Sequence, residues 1–322
     1  MEISAAFPPG PDVVDHAVLA ESLGYRRVWL YDSPALYPDV WVTLARVAER
    51  TERIGLGVAV LIPSLRHVLT QATAVATLEV LAPGRTVVAV GTGFTGRVAL
   101  GQRPLRWAEV ERYLRELRGL LRGDEVEVDG AVVQLIAPDG YLPSRPIEVP
   151  IVVAANGPKG LAVARELGDG VMTIGGAHPE FEWCAVLAFG TVLDDGEDPG
   201  SPRALATAGP AAAVVYHGFY EAAGEQVDLL PGGRAWREEI ERVPEPVRHL
   251  RVHEDHLVGL TERDRAVLDG ATLTAFTWTA PAADLRARLD SLAAAGATEL
   301  LYAPAGPDVA RELRAFMAMA GG

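Results

Sequence analysis

Two hydrophobic rhythms alternate along the chain. Short apolar runs such as "RRVWLYD", "IGLGVAVLI" and "RTVVAV" are separated by longer stretches with apolar residues at three- and four-residue spacing. The short runs have the character of strands buried on both faces, and the longer stretches have the period of amphipathic helices. "EISAAF" predicts a first strand, and Asp12 to Leu23 a helix stopped by Gly24. "DVWVTLARVAERT", "HVLTQATAVATLEVL" (ended by Pro83-Gly84) and "RWAEVERYLRELRGLL" predict the helices after strands two, three and four. "VPIVVAA" predicts strand five, with its helix over Gly160–Leu167, and "DGVMTI" strand six, with its helix over "EFEWCAVLAFGTVL". "ALATAG" predicts strand seven, and "TELLYAP" strand eight, between "ADLRARLDSLAAAG" and the closing helix "DVARELRAFMAM".

Two segments interrupt this rhythm. "EVEVDGAVVQL" predicts a hairpin turning on Asp-Gly, within an excursion over residues 124–148. Residues 210–280 predict an irregular, charged insertion ahead of the last helix–strand pair. Eight strands with helices between them and no central break predict one (β/α)8 TIM barrel over residues 1–322, an open doubly wound sheet being the competing arrangement.

Composition narrows the function. The net charge of −14 comes from mixed acidic and basic residues, which argues against nucleic acid or an anionic membrane as partner. Lys159 is the only lysine, and Cys184 is alone, so no intramolecular disulfide or cysteine-based zinc cluster forms. The N-terminus carries no basic segment followed by an apolar one, and no apolar run reaches membrane-span length. A soluble, cytoplasmic protein acting on a small molecule is the expectation.

In a barrel of this kind the chemistry lies where strands end and helices begin. Those tips read "YDS" (Tyr31-Asp32-Ser33), "AVLIPSLRH", "GTGFTGR", "AANGPKG" and "TIGGAHPE". In "AANGPKG", Asn156 and Gly157 lead into Pro158, a residue suited to the first turn of a helix. The amides near Lys159 and Gly160 then form a ready site for phosphate, or simply an ordinary strand–helix turn. "GTGFTGR" matches G-x-G-x-x-G at Gly91, Gly93 and Gly96, but without an acidic residue at the end of a following strand. Its glycines suit a flat ring lying against backbone, with Phe94 as a pocket wall and Arg97 facing an anion or forming a surface ion pair. Asp32 is the carboxylate that directly follows a strand, suited to carrying a proton or to closing its own loop. "RHLRVHEDH" places His249 and His253 four residues apart with His256 nearby; its charge density favours a solvated helix over a metal site.

"LAPGRTVVAVGTG", "VPIVVAANGPKGLAVARELGDGVM" and "DLRARLDSLAAAGATELLYAPAGP" together resemble the bacterial luciferase-like oxidoreductases. The chain resembles most the deazaflavin-dependent branch, which includes methylenetetrahydromethanopterin reductase and glucose-6-phosphate dehydrogenase. The resemblance implies coenzyme F420, an 8-hydroxy-5-deazaflavin, as cofactor. It implies ring contacts from Asp32, Ser33, Thr92 and Gly93, and a non-proline cis peptide at Ala59–Val60 bulging under the ring. The cofactor phosphate falls to Asn156, Gly157, Pro158, Lys159 and Gly160, with Gly175 and Gly176 bordering the tail.

Two positions depart from the sugar-phosphate dehydrogenases. Ser33 follows Asp32 where they have histidine, and Phe94 follows the G-T-G where they have glutamate. The resemblance therefore argues against glucose 6-phosphate as substrate, and it leaves His67, beside Arg66 at the start of helix three, as a substitute proton donor. Phe94, His67 and the 210–280 insertion are expected to bound the substrate, with "YHGFY" (Tyr216 to Tyr220) suited either to an apolar lid or to ordinary helix packing. The primary expectation is hydride transfer between F420 and a small organic molecule by a homo-oligomer, a dimer, with no resident metal. The alternatives are a reduced-FMN monooxygenase on the same fold, a non-catalytic flavin or deazaflavin binder and, from another class, a metal-dependent hydrolase or isomerase using the His249–His256 cluster.

Overall fold

The computed structural model describes residues 1–321. Eight parallel strands form a closed barrel: β1 (Glu2–Phe7), β2 (Arg27–Leu30), β3 (Gly55–Leu61), β4 (Thr86–Val90), β5 (Ile151–Ala154), β6 (Gly170–Ile174), β7 (Cys184–Phe189) and β8 (Glu299–Ala303). Each pairs with its neighbour in the chain, and β8 closes on β1 with Ala5 opposite Tyr302. Outward residues such as Val88 and Val90 pack under the helices, while inward ones such as Val87 and Ala89 fill the barrel. The fold is the expected (β/α)8 TIM barrel.

The barrel interior is graded in size. At its N-terminal end Trp29 lies fully buried across Gly57, where an added Cβ would come within 2.3 Å of the indole. Buried Glu299 accepts hydrogen bonds there from Trp29 Nε1 (3.2 Å), Trp183 Nε1 (2.7 Å) and Arg27 Nη1 (2.9 Å), so its charge is compensated. Toward the other end the inward positions shrink to Ala6, Ala59, Gly91 and Ala154, leaving space inside the C-terminal mouth.

Local signals account for several boundaries. Gly24, at φ 88°, ends the helix Val13–Leu23 in the left-handed conformation that glycine adopts without steric cost. The Asp129-Gly130 turn has φ of 51° and 82° and joins Val126–Val128 to Ala131–Val133 as an antiparallel hairpin. Asp39 caps the helix Val40–Arg50 by accepting from the amides of Trp41 (2.9 Å) and Val42 (3.0 Å), a contact worth about 1 kcal/mol.

Two predicted elements exchange roles. "CAVLAF", expected within a helix, is β7, and no helix separates it from β6. "ALATAG", expected as strand seven, opens the helix Pro202–Ala223. A strand buried on both faces and a buried helix carry similar apolar runs, so hydrophobic periodicity does not separate them. The Ser201 hydroxyl accepts from the Ala204 amide, with Pro202 in the first turn, which marks a helix start.

The insertion thus begins at Pro202, ahead of the expected residue 210. Its helices Pro202–Ala223, Gly233–Ile240, Glu245–Val252 and Gly270–Phe276 enclose an apolar cluster of their own around Tyr216, Trp236 and Leu273. Tyr216 and Trp236 are essentially inaccessible, and such burial contributes about 2–3 kcal/mol for each large side chain. Among the described residues, no helix is long and apolar enough to cross a membrane.

Candidate active site

The C-terminal mouth of the barrel holds a cavity of about 310 Å³. Its floor is Ala6, Ala59, Val60, Gly91, Ala154 and Leu301, all apolar and mostly small. The Ala59–Val60 peptide is cis, and the pairing of β3 with β4 slips at this point, from Ala59 opposite Ala89 to Leu61 opposite Val90. Both residues face the cavity.

Asp32 stands in the wall just past β2 and is 3% exposed. Its Oδ2 accepts a 2.6 Å hydrogen bond from Arg66 Nη1, while Arg66 Nη2 donates to Asp39 Oδ2 at 2.7 Å. The cap of one helix therefore also anchors the guanidinium that holds Asp32. Burial raises the Asp32 pKa above its ordinary value, against the opposing pull of Arg66. Asp39, against its partial burial, is held below its ordinary value by the Val42 amide and Arg66. Asp32 is the only carboxylate among the cavity-lining residues, which include no arginine or lysine.

Ser33, Thr92, Gly93 and Phe94 also line the cavity, with the Phe94 ring 39% exposed. Two glycines of this tip, Gly93 and Gly96, serve the packing of the chain itself. Gly93 has φ 78°, and an added Cβ would lie 2.5 Å from Ile62 Cγ2. At Gly96 an added Cβ would meet Ile62 Cδ1 at 2.5 Å. Ile62, 2% exposed, is the wedge that these glycines accommodate. Arg97 Nε donates to the Arg103 carbonyl (2.6 Å) and its Nη1 to the Ser64 hydroxyl, so the expected surface ion pair is not formed among the described residues.

The helix Pro158–Leu167 starts beside the cavity. Its N-cap, Gly157, provides no side-chain cap. Added Cβ atoms at Gly157, Gly175 and Gly176 would meet nothing within 4 Å, so backbone borders open space at all three. Asn156 lines the cavity, and its Oδ1 accepts from the Ile174 amide (2.8 Å), tying the ends of β5 and β6 together. Pro158 and Lys159 are exposed. Gly160 differs: it is buried, and an added Cβ would strike Trp107 at 2.3 Å, so its glycine character answers to packing.

Several expected participants sit elsewhere. His67 is exposed and caps the helix Val68–Leu81, its Nδ1 accepting from the Leu69 amide (3.1 Å). It borders a separate groove with Arg112 and Glu116, so it is not brought to the cavity beside Asp32. Tyr216 and His217 are buried within the insertion rather than forming a lid. The insertion instead reaches the cavity through Val214, His256 and Leu257. The helix Glu245–Val252 ends before His253, and His253 and His256 are buried (1% and 5% exposed), which overturns the solvated-helix expectation for them. His249 lies apart, beside Gly101. Tyr37 was not singled out from the sequence, and Arg66 and Tyr31 were given no role there although both sit in quoted strand tips.

A family model described as luciferase-like monooxygenase matches residues 3–299. The chain is 32% identical over 207 residues to an F420-dependent glucose-6-phosphate dehydrogenase of Microbacterium testaceum (strain StLB037), the match covering 60% of each protein. It is 30% identical over 192 residues to a 5,10-methylenetetrahydromethanopterin reductase of Methanolobus tindarius, covering 58% of this chain and 57% of that one. The chain thus spans about 60% of the length of these curated relatives. Among solved structures, an F420-dependent secondary alcohol dehydrogenase in complex with an F420-acetone adduct superposes with a TM-score of 0.69 at 18% identity, covering 99% of this chain and 97% of that one. At that identity the likeness is one of fold.

Proposed function

The chain belongs to the luciferase-like monooxygenase family, and within it we propose an F420-dependent oxidoreductase that acts on a small, uncharged organic substrate. The observation that carries this reading is the continuity of two features. An apolar-floored cavity at the barrel mouth adjoins, through Asn156, an uncapped helix start bordered by open glycines. A flat ring suits the first, and a phosphorylated tail the second.

The residues present fit the coenzyme. Ala59, Val60 and Gly91 would lie under the ring, with Ser33, Thr92 and Asn156 as polar groups at its edges. The tail phosphate would be received by amides at the start of the helix Pro158–Leu167, beside Gly175 and Gly176. When bound, F420 supplies hydride chemistry at C5 of its deazaflavin ring.

This chain's own contribution is orientation and a proton. Asp32 Oδ2 is fixed by Arg66, while Oδ1 has no protein partner among the described residues. Burial favours the protonated carboxyl, so Asp32 is suited to hold a proton at Oδ1 and pass it to a substrate oxygen. The apolar wall from Ile62, Phe94, Val214 and Leu257 limits water. With no arginine or lysine lining that wall, a sugar phosphate would find no cationic side chain to pair its charge, which favours a neutral carbonyl or alcohol over the phosphorylated substrate of the Microbacterium relative.

The test is an absorbance assay pairing reduced F420 with neutral ketones and aldehydes, and oxidised F420 with neutral alcohols and with sugar phosphates. Oxidation of reduced F420 by a neutral carbonyl, or reduction of F420 by a neutral alcohol, with no reduction of F420 by a sugar phosphate, supports the reading. Turnover only with the phosphorylated substrate overturns the substrate class.

A further inference from the structure

The insertion brings together three histidines that no part of the proposed hydride chemistry uses. His217 comes from the helix Pro202–Ala223, His253 caps the end of Glu245–Val252, and His256 lies in the turn that follows. They are 1%, 1% and 5% exposed. His256 Nδ1 lies 3.2 Å from His253 Nδ1 and 3.4 Å from His217 Nδ1, and one ligand atom from each ring falls within 4.8 Å of the others.

Protons cannot satisfy this arrangement among neutral rings. His217 Nε2 faces Asp264 Oδ1 at 3.3 Å, and that carboxylate also accepts from Trp236 Nε1 (2.7 Å) and Thr261 Oγ1 (2.7 Å). The neutral His217 proton therefore sits on Nε2, and its Nδ1 presents a lone pair. If His256 Nδ1 carries a proton, it donates to only one of its two neighbours. If His253 carries it instead, the lone pairs of His256 and His217 face each other. In every neutral assignment one short contact stays unmatched.

A cation resolves all of them. For a tetrahedral ion about 2.0–2.1 Å from each imidazole nitrogen, ligand nitrogens stand about 3.3–3.4 Å apart. The two short separations lie close to that value. The surroundings also suit metal-bound imidazoles, whose far nitrogen commonly faces a carboxylate. Asp264 fills that position for His217; for His253, whose Nε2 is buried without a hydrogen-bond partner, Glu221 is 3.9 Å away.

We propose that His217, His253 and His256 bind one divalent cation of the zinc type through Nδ1, forming a structural clip between two segments of the insertion. A set of three imidazoles without thiolate selects zinc and its borderline neighbours over magnesium or calcium. The clip fixes the cavity wall: His256 and Leu257 line it, and the Tyr37 hydroxyl donates to the His256 carbonyl at 2.6 Å. Asp255 and Leu257, with φ of 57° and 59°, hold His256 in a left-handed turn unusual for residues other than glycine.

The full chain is tested after chelation and dialysis, first by metal analysis with added Zn2+ or Mg2+, then by visible absorption with Co2+. Retention of about one Zn2+ per chain, tetrahedral Co2+ bands and a raised Tm with zinc but not magnesium support the clip. His253→Ala and His256→Asn should each weaken uptake at least ~100-fold, while His249→Ala should bind as the parent does. The parent protein gives the decisive readings, so misfolding of a variant does not remove the test. Failure of the parent to hold a stoichiometric ion, or uptake that survives loss of both His253 and His256, overturns the proposal. Metal content is read without F420, so this result stands apart from that of the proposed function.

Discussion

Arg66 bridges Asp32 and Asp39, donating at 2.6 Å to one and 2.7 Å to the other. The carboxyl proposed to carry the proton is thus tied to a helix cap, and its protonation depends on that tie. Arg66→Met removes the group that opposes burial, so the Asp32 pKa rises further. With Asp32 as the proton donor in the reductive direction, activity falls as pH climbs through its pKa. The falling alkaline limb of kcat/KM should therefore move to higher pH in Arg66→Met. Asp32→Asn should keep F420 binding within a few-fold but lower kcat by about 10²–10⁴. Steady-state pH profiles of the three proteins check both statements.

Gly93 is constrained twice, by its φ of 78° and by Ile62. Gly93→Ala should cost about 2–4 kcal/mol in urea unfolding. Pairing it with Ile62→Ala should recover the clash but not the backbone cost, giving a coupling of about 1 kcal/mol or more in a double-mutant cycle. Additive costs would mean that Ile62 does not press on this glycine.

Gly157 has the opposite character. Its φ of −113° is ordinary for any residue, and a Cβ there enters open space. Gly157→Asp should leave Tm unchanged or slightly raised, because an aspartate caps the helix as well as glycine or better. The same carboxylate occupies the amides proposed for phosphate and repels it, so the F420 Kd should rise about tenfold or more. Thermal unfolding and F420 titration of one variant separate the two effects.

Acid stability should reflect Glu197, which the hydrogen bond from Arg203, against partial burial, holds down to about 2. Its folded pKa is below the unfolded value near 4.5, so the fold binds this proton less readily than the unfolded chain does. The stabilisation is complete above about pH 4.5 and is lost as pH falls toward about 2. Glu197→Gln should be less stable at neutral pH and lose less stability across that window, as urea unfolding at stepped pH would show.

Much of the barrel was legible because its strand–helix rhythm recurs with clear stops, as at Gly24 and Pro83-Gly84. The Asp129-Gly130 hairpin was equally plain. The exchange of β7 with the start of the Pro202 helix was not, since "CAVLAF" and "ALATAG" are both short apolar runs. The Ser201-Pro202 pair was the signal that separates them. At the site, Asp32 and the strand tips could be found from position alone, whereas the Arg66 bridge depends on where a side chain turns. His217 meets His253 and His256 only through folding of the insertion, and spacing instead drew attention to His249.

Titration of the purified protein with F420 and with FMN, each followed by fluorescence, decides which cofactor the barrel mouth holds. Saturable binding of F420 at about one per chain with a low-micromolar Kd, and much weaker binding of FMN, is expected. No saturable F420 binding, or tight FMN binding without it, would rule out an F420 enzyme.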